Sequence, residues 1–336
     1  MRPADRSRTL QRRSRYETFE ERLALTAQPL SELSLGMEQQ LQHHYSELAP
    51  AEVVNPIGDF QLESIVDERV SHHANTVNSS AGNVHDLTGV NYVFNNYGFS
   101  GQGQTVAIID SGIAWDHIAL GGGLGSGYRV VGGYDFAEGD ANPYDDGPSG
   151  FHGTHVAGIV GSSDATHRGV ASSVDLVGLR VFDDNGAGYF SLVENALQWV
   201  HDHRNDFENP ITTVNLSLGT TWNSDSVPNW STLEDEFAQL EKDGIFIAVS
   251  AGNSFSSYNT VGLSYPAASP YVVPVASVDS TGAISGFSQR SDRVLLAPGG
   301  NITSTIPDHV FGADGNPNDF GTASGTSMAS PYVAGA

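Results

Sequence analysis

Four short stretches of the sequence carry side chains that together suit nucleophilic catalysis by serine. A carboxylate can orient an imidazole, the imidazole can take a proton from a serine hydroxyl, and an amide can donate to the oxyanion that forms when serine attacks a carbonyl. The four stretches are Asp110-Ser111-Gly112, His152-Gly153-Thr154-His155, Ser250-Ala251-Gly252-Asn253 and Ser324-Gly325-Thr326-Ser327.

Each stretch taken alone has an ordinary structural explanation. Asp110 could cap a helix or turn, Asn253 could occupy a turn, and a serine before a helix, such as Ser327, is most often an N-cap. His152 and His155 would share a helical face, but no Glu lies between them as a zinc peptidase requires, so we predict that His155 is structural. The joint occurrence of the four stretches favours catalysis.

Alternating apolar strands and amphipathic helices surround these stretches. Helices are predicted over 191–204 and 231–243, where Ser191 with Glu194 and Ser231 with Glu234 have the capping-box spacing. The pattern predicts an α/β fold with a mostly parallel sheet, and in such sheets sites form at the carboxyl ends of the strands. Buried strands are predicted at 105–110, 174–181, 212–216, 245–249, 271–278 and 294–297.

Composition narrows the function classes. The 336 residues include 39% hydrophobic residues and 38 Gly, as in a globular, turn-rich protein, and contain no apolar run long enough to span a membrane. The formal charge of -24 argues against nucleic-acid binding, and the absence of Cys excludes disulfides and thiol chemistry. Gly101-Gln102-Gly103 precedes a predicted strand, whereas a dinucleotide fingerprint would follow one, so nucleotide binding is not supported.

The order Asp, His, Ser and the stretches around these residues resemble the subtilisin-like serine peptidases, the subtilases of peptidase family S8. The resemblance runs from about Val84 to Ala336. It implies a subtilisin-like three-layer fold and a serine endopeptidase that cleaves extended polypeptides through an acyl-enzyme. Ser327 would attack the carbonyl, His152 would act as base and then acid, Asp110 would hold the imidazolium, and Asn253 with the Ser327 N–H would bind the oxyanion.

The resemblance also implies where a substrate would bind. Gly186-Ala187-Gly188 resembles the edge that pairs with substrate backbone, and Ser217-Leu218-Gly219 resembles the opposite wall. The pocket for the side chain before the cleaved bond would be lined by Ser217 to Gly219, Ala251-Gly252 and Ser264. None of these residues is charged, so we expect an apolar or aromatic side chain there. The bond Tyr265-Pro266 resembles one that is cis in the family.

We expect no cofactor. The family's strongest calcium site should be absent, because His117-Ile118-Ala119 lacks the carboxylate found at that position and the loop 161–169 is short. Carboxylates in the acidic loop 135–146 and the segment 314–319 leave calcium at an unidentified structural site open.

Three segments are expected along the chain. Residues 1–30 form a basic, export-like or disordered segment without a standard signal peptide, residues 31–85 a linker or pro-segment, and residues 86–336 the peptidase domain. We expect further chain to complete this domain, because a helix that ends so soon after Ser327 is short.

We expect a polypeptide substrate, a monomeric catalytic domain without a membrane span, and an extracellular or cell-surface location. The alternative function is a catalytically silent binding or adhesion module with the same fold.

Overall fold

The computed structural model describes residues 59–61, 71–72, 81–146, 148–311 and 313–336. The chain divides into two units, Met1–Pro56 and Ile57–Ala336, and every described residue lies in the second unit. The predicted segment 1–30 and most of the predicted segment 31–85 therefore lie outside the described residues.

Strands and helices alternate through most of the described chain. The strands are β1 Asp59–Gln61, β2 Ser71–His72, β3 Thr105–Asp110, β4 Val130–Asp135, β5 Asp175–Arg180, β6 Ala187–Tyr189, β7 Ile211–Leu216, β8 Thr220–Ser224, β9 Phe246–Ser250, β10 Leu263–Tyr265, β11 Val273–Val278, β12 Leu295–Pro298, β13 Ile302–Thr305 and β14 Phe320–Ala323. The α-helices are α1 Ala81–Thr88, α2 Val90–Tyr97, α3 His152–Gly161, α4 Phe190–His203, α5 Glu234–Lys242, α6 Phe255–Tyr258 and α7 Thr326–Gly335.

A seven-stranded sheet with the order β12-β11-β9-β7-β3-β5-β4 forms the centre of the molecule. All neighbouring strands in it are parallel, which confirms the predicted α/β class. The six strands predicted from apolar runs all occur in this sheet. The seventh, β4, was not predicted, because its sequence contains two glycines and only a short apolar run.

Both faces of this sheet are covered by helices. In β3, Ala107 and Ile109 contribute to the core on the side of α4 and α5, whereas Val106 and Ile108 contribute to the core on the side of α3 and α7. This alternation follows from the opposite directions of successive side chains in a strand. The result is the three-layer arrangement that was expected.

Helix α7, which begins beside Ser327, is buried along nearly its whole length. It packs against α3 and against β7, β9, β11 and β12. The small side chains of Ala329 and Ser330 let the helix lie close to the sheet. The catalytic candidate Ser327 is therefore held by a helix with little freedom to move.

The two predicted capping boxes do not form as expected. Helix α4 begins one residue before Ser191, and no side chain caps it. Helix α5 begins at Glu234 without a side-chain cap: the Ser231 hydroxyl makes its short hydrogen bond with the Tyr265 hydroxyl and only long ones, 3.4 Å each, with the Glu234 carboxylate and the Leu233 N–H. A tertiary partner has replaced the local cap in this second case.

The packed region extends upstream of residue 86. Val84 in α1 is buried in the core beside α3 and α7. The imidazole of the neighbouring residue, His85, hydrogen-bonds through Nδ1 to the Tyr332 hydroxyl at 2.6 Å and through Nε2 to the Arg168 carbonyl at 2.8 Å. Part of the segment predicted as a linker or pro-segment is thus built into the folded unit.

Three small antiparallel sheets surround the central one: β1 with β6, β8 with β10, and β2 with β14 and β13. The bond Tyr265–Pro266, at the end of β10, is cis as expected. No helix in the described ranges is long and apolar enough to cross a membrane.

Candidate active site

The Asp110 carboxylate and the His152 imidazole form a buried pair. Asp110 ends β3 and His152 begins α3, and Asp110 Oδ1 accepts from His152 Nδ1 at 2.7 Å. The same oxygen accepts from the Ser111 backbone N–H at 2.7 Å. The helix can approach this closely because residue 153 is glycine: a Cβ there would lie 2.1 Å from the Gly112 carbonyl oxygen.

The two histidines of α3 have opposite electrostatic surroundings. Burial alone would lower the pKa of His152, but the adjacent Asp110 carboxylate outweighs burial and raises it. Burial and, to a smaller extent, the nearby His152 lower the pKa of His155 to about 4. His155 Nε2 lies 3.1 Å from both the Ile302 and the Gly321 carbonyl oxygens, which supports the prediction that His155 is structural.

Ser327 is the second residue of α7 and is held by Ser217. The Ser327 hydroxyl donates to the Ser217 carbonyl at 3.1 Å, and the Ser217 hydroxyl donates to the Ser327 carbonyl at 2.8 Å. His152 Nε2 makes no hydrogen bond within the described ranges. Because α3 packs against α7, the structure brings the imidazole and the serine into neighbouring helices.

The Asn253 side chain is attached to the start of the same helix. Its Oδ1 accepts from the Thr326 backbone N–H at 2.9 Å and from the Thr326 hydroxyl at 3.0 Å. The Thr326 hydroxyl in turn accepts from the Gly252 N–H at 3.1 Å. These bonds use the carbonyl oxygen of the amide, so its donor group, Nδ2, points away from Thr326.

Sequence reasoning missed a polar chain beneath Ser327. Asn215, fully buried in β7, donates through Nδ2 to the Ser217 hydroxyl at 2.9 Å, and its Oδ1 accepts from the Ser330 hydroxyl at 2.8 Å. This chain fixes the Ser217 hydroxyl on the Ser327 carbonyl. The signal that could have revealed it was a single polar residue, Asn215, inside the otherwise apolar run Val214 to Leu216.

The expected substrate edge accepts an extended segment in this structure. Strand β6 includes Ala187 and Gly188 of the predicted edge, and Gly186 precedes it at φ 77°. Strand β1 pairs with β6 in antiparallel register, with Asp59 opposite Tyr189. The edge lies outside the central sheet and can pair with an extended strand, and in this structure β1 occupies it.

The predicted pocket residues divide into two groups. Ser264 lies between the glycines of the two walls: a Cβ on Gly219 would lie 2.7 Å from Ser264 Oγ, and one on Gly252 would lie 2.8 Å from Ser264 Cβ. In contrast, Leu218 and Ala251 pack into the hydrophobic core beside α4 and α5. Their side chains contribute to the support of the pocket walls.

Comparison with known proteins is consistent with this geometry. The model of the subtilase family, peptidase S8, matches residues 101–336. The chain belongs to the subtilase family.

Relatives and a solved structure agree with this assignment. Subtilisin E of Bacillus subtilis strain 168 is 35% identical over 243 residues, which are 71% of this subtilase and 55% of Subtilisin E. Subtilisin of Bacillus pumilus is 35% identical over 243 residues, 71% of this chain and 77% of that protein. The crystal structure of a cold-adapted subtilisin-like serine proteinase matches with a TM-score of 0.55 and 34% identity, covering 71% of this chain and 76% of that one. The chain spans about half the length of Subtilisin E.

The acidic loop of this subtilase is organised around an arginine. The buried Arg180 guanidinium lies 2.7 Å from the Asp135 carboxylate, 3.0 Å from Asp146 and 2.5 Å from Asp184. Among the described residues, no group of three or more His, Cys, Asp or Glu side chains is placed to hold a metal ion. The guanidinium is the cation that these three carboxylates share.

Proposed function

We propose that this subtilase is a serine endopeptidase that cleaves extended polypeptides through an acyl-enzyme. The observation that carries the proposal is the buried hydrogen bond of 2.7 Å between Asp110 and His152, formed beside the helix that begins at Ser327. An imidazole held by a carboxylate through Nδ1 presents Nε2 as a base for a serine hydroxyl.

The proposed first step transfers one proton and forms one bond. Ser327 Oγ leaves the Ser217 carbonyl, gives its proton to His152 Nε2 and bonds to the carbonyl carbon of the substrate. Asp110 stabilises the imidazolium that results, consistent with the raised pKa of His152. His152 then gives the proton to the leaving amine as the C–N bond breaks, and water later hydrolyses the ester by the reverse path.

The oxyanion of the intermediate is proposed to lie between Asn253 Nδ2 and the backbone N–H of Ser327. A residue in the first turn of a helix has no intrahelical partner for its N–H group, so the Ser327 N–H is free to donate. The two bonds from Thr326 to Asn253 Oδ1 orient the amide before the substrate arrives. Preoriented donors of this kind lower the barrier without reorganisation during the reaction.

The substrate is proposed to add a strand to β6, with Ser217 to Gly219 on its other side. The side chain before the cleaved bond would enter beside Ser264, and we propose an apolar or aromatic residue there. Removing the Ser264 side chain would lengthen the space between Gly219 and Gly252. Ser264→Gly should therefore shift cleavage toward larger aromatic residues, which mass spectrometry of products from a peptide library would detect.

A fluorophosphonate probe tests the mechanism most directly. It should label the wild-type chain at one serine, identified as Ser327 by peptide mapping, and labelling should be lost in Ser327→Ala. His152→Ala should also label very slowly, because the hydroxyl is no longer activated. Wild-type protein that folds but neither labels nor cleaves any peptide in the library would instead support a silent binding or adhesion module.

We propose a polypeptide substrate, a monomeric catalytic domain and action outside the cell, in keeping with the family and with the strongly acidic, lysine-poor composition. Fractionation of cells expressing the full coding sequence would test the location, and ultracentrifugation of the purified protein would test the oligomeric state.

A further inference from the structure

The acidic loop 135–146 contains two buried carboxylates: Asp135, which pairs with Arg180, and Asp145. Asp145 is completely buried, whereas its neighbour Asp146 is about half exposed beside Arg180, with a relative side-chain exposure of 47%. Asp145 Oδ1 accepts from the Ser111 hydroxyl at 2.9 Å. Asp145 Oδ2 accepts from the Thr154 backbone N–H at 2.9 Å and from the Thr154 hydroxyl at 2.5 Å.

These partners belong to the two elements that carry the acid–base pair. Ser111 directly follows Asp110 after β3, and Thr154 lies in the first turn of α3, two residues after His152. The Ser111 hydroxyl also accepts from the Gly153 N–H at 2.9 Å, and the Thr154 hydroxyl accepts from the Ala114 N–H at 2.9 Å. Asp145 thus closes a network that joins the strand end to the helix start.

We propose that Asp145 is a positioning residue that fixes the orientation of the Asp110 carboxylate relative to the His152 imidazole. This inference rests on the proposed endopeptidase function. Asp145 contacts neither the imidazole nor a reacting atom, so its effect on catalysis passes through Ser111 and Thr154.

The electrostatics of Asp145 favour a role in positioning the acid–base pair over a role in stability alone. Burial raises the pKa of Asp145 to about 7; the hydrogen bonds from Thr154 and Ser111 oppose the rise, and the charge of Asp110 adds to it. A second buried carboxylate this close to Asp110 is unfavourable for folding when it is ionised. Buried groups with strongly shifted pKa values cluster at functional sites, which is consistent with retention for catalysis.

The decisive variant is Asp145→Asn in the full chain. The amide keeps the shape and one acceptor but cannot accept from both partners as a carboxylate does. We expect kcat to fall by roughly 10- to 100-fold with KM changed little, because a small misplacement of catalytic groups acts on the transition state. The thermal unfolding midpoint at pH 8 should be unchanged or higher, because an ionised buried carboxylate has been removed.

The pH profile gives a readout that a purely structural role would not move. The titratable groups that interact with Asp145 are Asp110, His152 and its neighbour Tyr144. Wild-type kcat/KM should fall on the acid side with the uptake of two protons, one on His152 and one on Asp145. In Asp145→Asn the acid limb should require one proton.

Matched controls keep the test decisive. Asp140→Asn changes an exposed carboxylate of the same loop, which accepts from the Asn142 N–H, and should leave kcat and the pH profile as they are. If Asp145→Asn does not fold, Thr154→Ser and Thr154→Val replace it. The serine variant keeps the hydroxyl and should keep kcat, whereas the valine variant should lose it.

The outcomes separate this inference from the proposed function. Wild-type protein without any turnover would overturn the proposed function. Normal turnover in the wild type together with wild-type kcat and a wild-type pH profile in Asp145→Asn, or equal kcat in Thr154→Ser and Thr154→Val, would overturn only the role of Asp145.

Discussion

The two sides of the candidate active site are built from different chemistry. On the base side, Asp110, Asp145 and His152 are all ionisable and buried. On the nucleophile side, Ser327 is held by Ser217 and Asn215 through neutral hydroxyl, carbonyl and amide groups.

This difference in chemistry matches the different roles proposed for the two sides, which are proton transfer and stabilisation of the oxyanion. In the proposed mechanism the imidazole on the base side changes charge during each cycle, which would explain why carboxylates lie near it although their burial is unfavourable. On the nucleophile side, the proposed mechanism forms a negative charge on the substrate carbonyl oxygen. Fixed neutral dipoles can stabilise this oxyanion, whereas a nearby carboxylate would repel it. Substitutions should therefore act on proton transfer on one side and on transition-state stabilisation on the other.

The largest expected effect comes from removing the Ser327 hydroxyl, which is proposed to pass its proton from the nucleophile side to the imidazole on the base side. Ser327→Ala should reduce peptide hydrolysis to background, because the hydroxyl that moves between the Ser217 carbonyl and the imidazole is gone. Circular dichroism and the thermal unfolding midpoint should match the wild type, since only one oxygen is lost. Measurable turnover in a preparation free of wild-type enzyme would contradict the mechanism.

On the nucleophile side, Asn253→Ala should reduce kcat by about 10² to 10³ with little change in KM, which is the size of the effect known for loss of such an amide donor in a subtilisin. The physical reason is that, in the proposed mechanism, the Asn253 amide donates to the oxyanion and not to the ground-state carbonyl. Steady-state kinetics on one peptide substrate would measure the change. An increase in KM with unchanged kcat would show that the amide binds the ground state instead.

A charge introduced on the nucleophile side tests whether that side must remain neutral. Asn215→Asp replaces the donor that holds the Ser217 hydroxyl, so this hydroxyl should turn from the Ser327 carbonyl toward the new carboxylate. We expect kcat to fall about tenfold, and the unfolding midpoint to drop more at pH 8 than at pH 5, because burial disfavours the ionised form. The same substitution at the exposed Asn95 is the control and should change neither quantity.

Two buried groups near the base side should have opposite effects on stability in the same pH range. The pKa of His155 is lowered from 6.5 to about 4. As the pH falls, the unfolded chain therefore protonates this imidazole near pH 6.5, whereas the folded chain protonates it only near pH 4. His155 therefore removes up to about 3 kcal/mol from the free energy of unfolding as the pH falls through this window. Asp145, whose pKa is raised to about 7, acts in the opposite direction.

The variant His155→Gln keeps a donor for the Ile302 and Gly321 carbonyls but does not titrate. Relative to the wild type, its unfolding midpoint should fall less, or rise, between pH 7 and pH 5. Differential scanning calorimetry at the two pH values would measure this. Equal shifts in both proteins would show that the folded and unfolded chains protonate His155 alike.

The smallest expected effect is that of a chelator. Arg180 lies between the carboxylates of Asp135, Asp146 and Asp184 and offsets part of their mutual repulsion, so we expect their arrangement not to depend on a bound metal. Adding EDTA to the purified protein should move the unfolding midpoint by less than about 2 °C, below the 2–4 °C that about 1 kcal/mol produces in a domain of this size. A larger decrease that calcium reverses would reveal a structural calcium site.

The sequence was sufficient to predict features that depend on local pattern. The strand ends at Asp110 and Ser250, the helix start at His152 and the parallel sheet follow from apolar runs and glycine-rich turns. The resemblance to subtilases correctly placed the family and the fold.

Features that depend on tertiary partners could not be predicted in this way. In the sequence, nothing distinguishes Asp145 from the solvent-exposed carboxylates of the same acidic loop. Only the folded structure shows that it lies between Ser111 and Thr154. Ser231 had the spacing of a helix cap, but the Tyr265 hydroxyl, far along the chain, competes for it. The roles of both side chains are decided by residues distant in sequence.

The pairing of β1 with β6 has a kinetic consequence. Because β1 belongs to the same chain, its effective concentration at this edge is fixed by the intervening chain, not by dilution, and effective concentrations of such tethered segments reach the millimolar range. If substrates bind at this edge as proposed, a free peptide would have to compete against this local concentration. The apparent KM would then include the free energy of displacing β1, so weakly binding peptides would be excluded more strongly than peptides that fill the pocket as well as the edge.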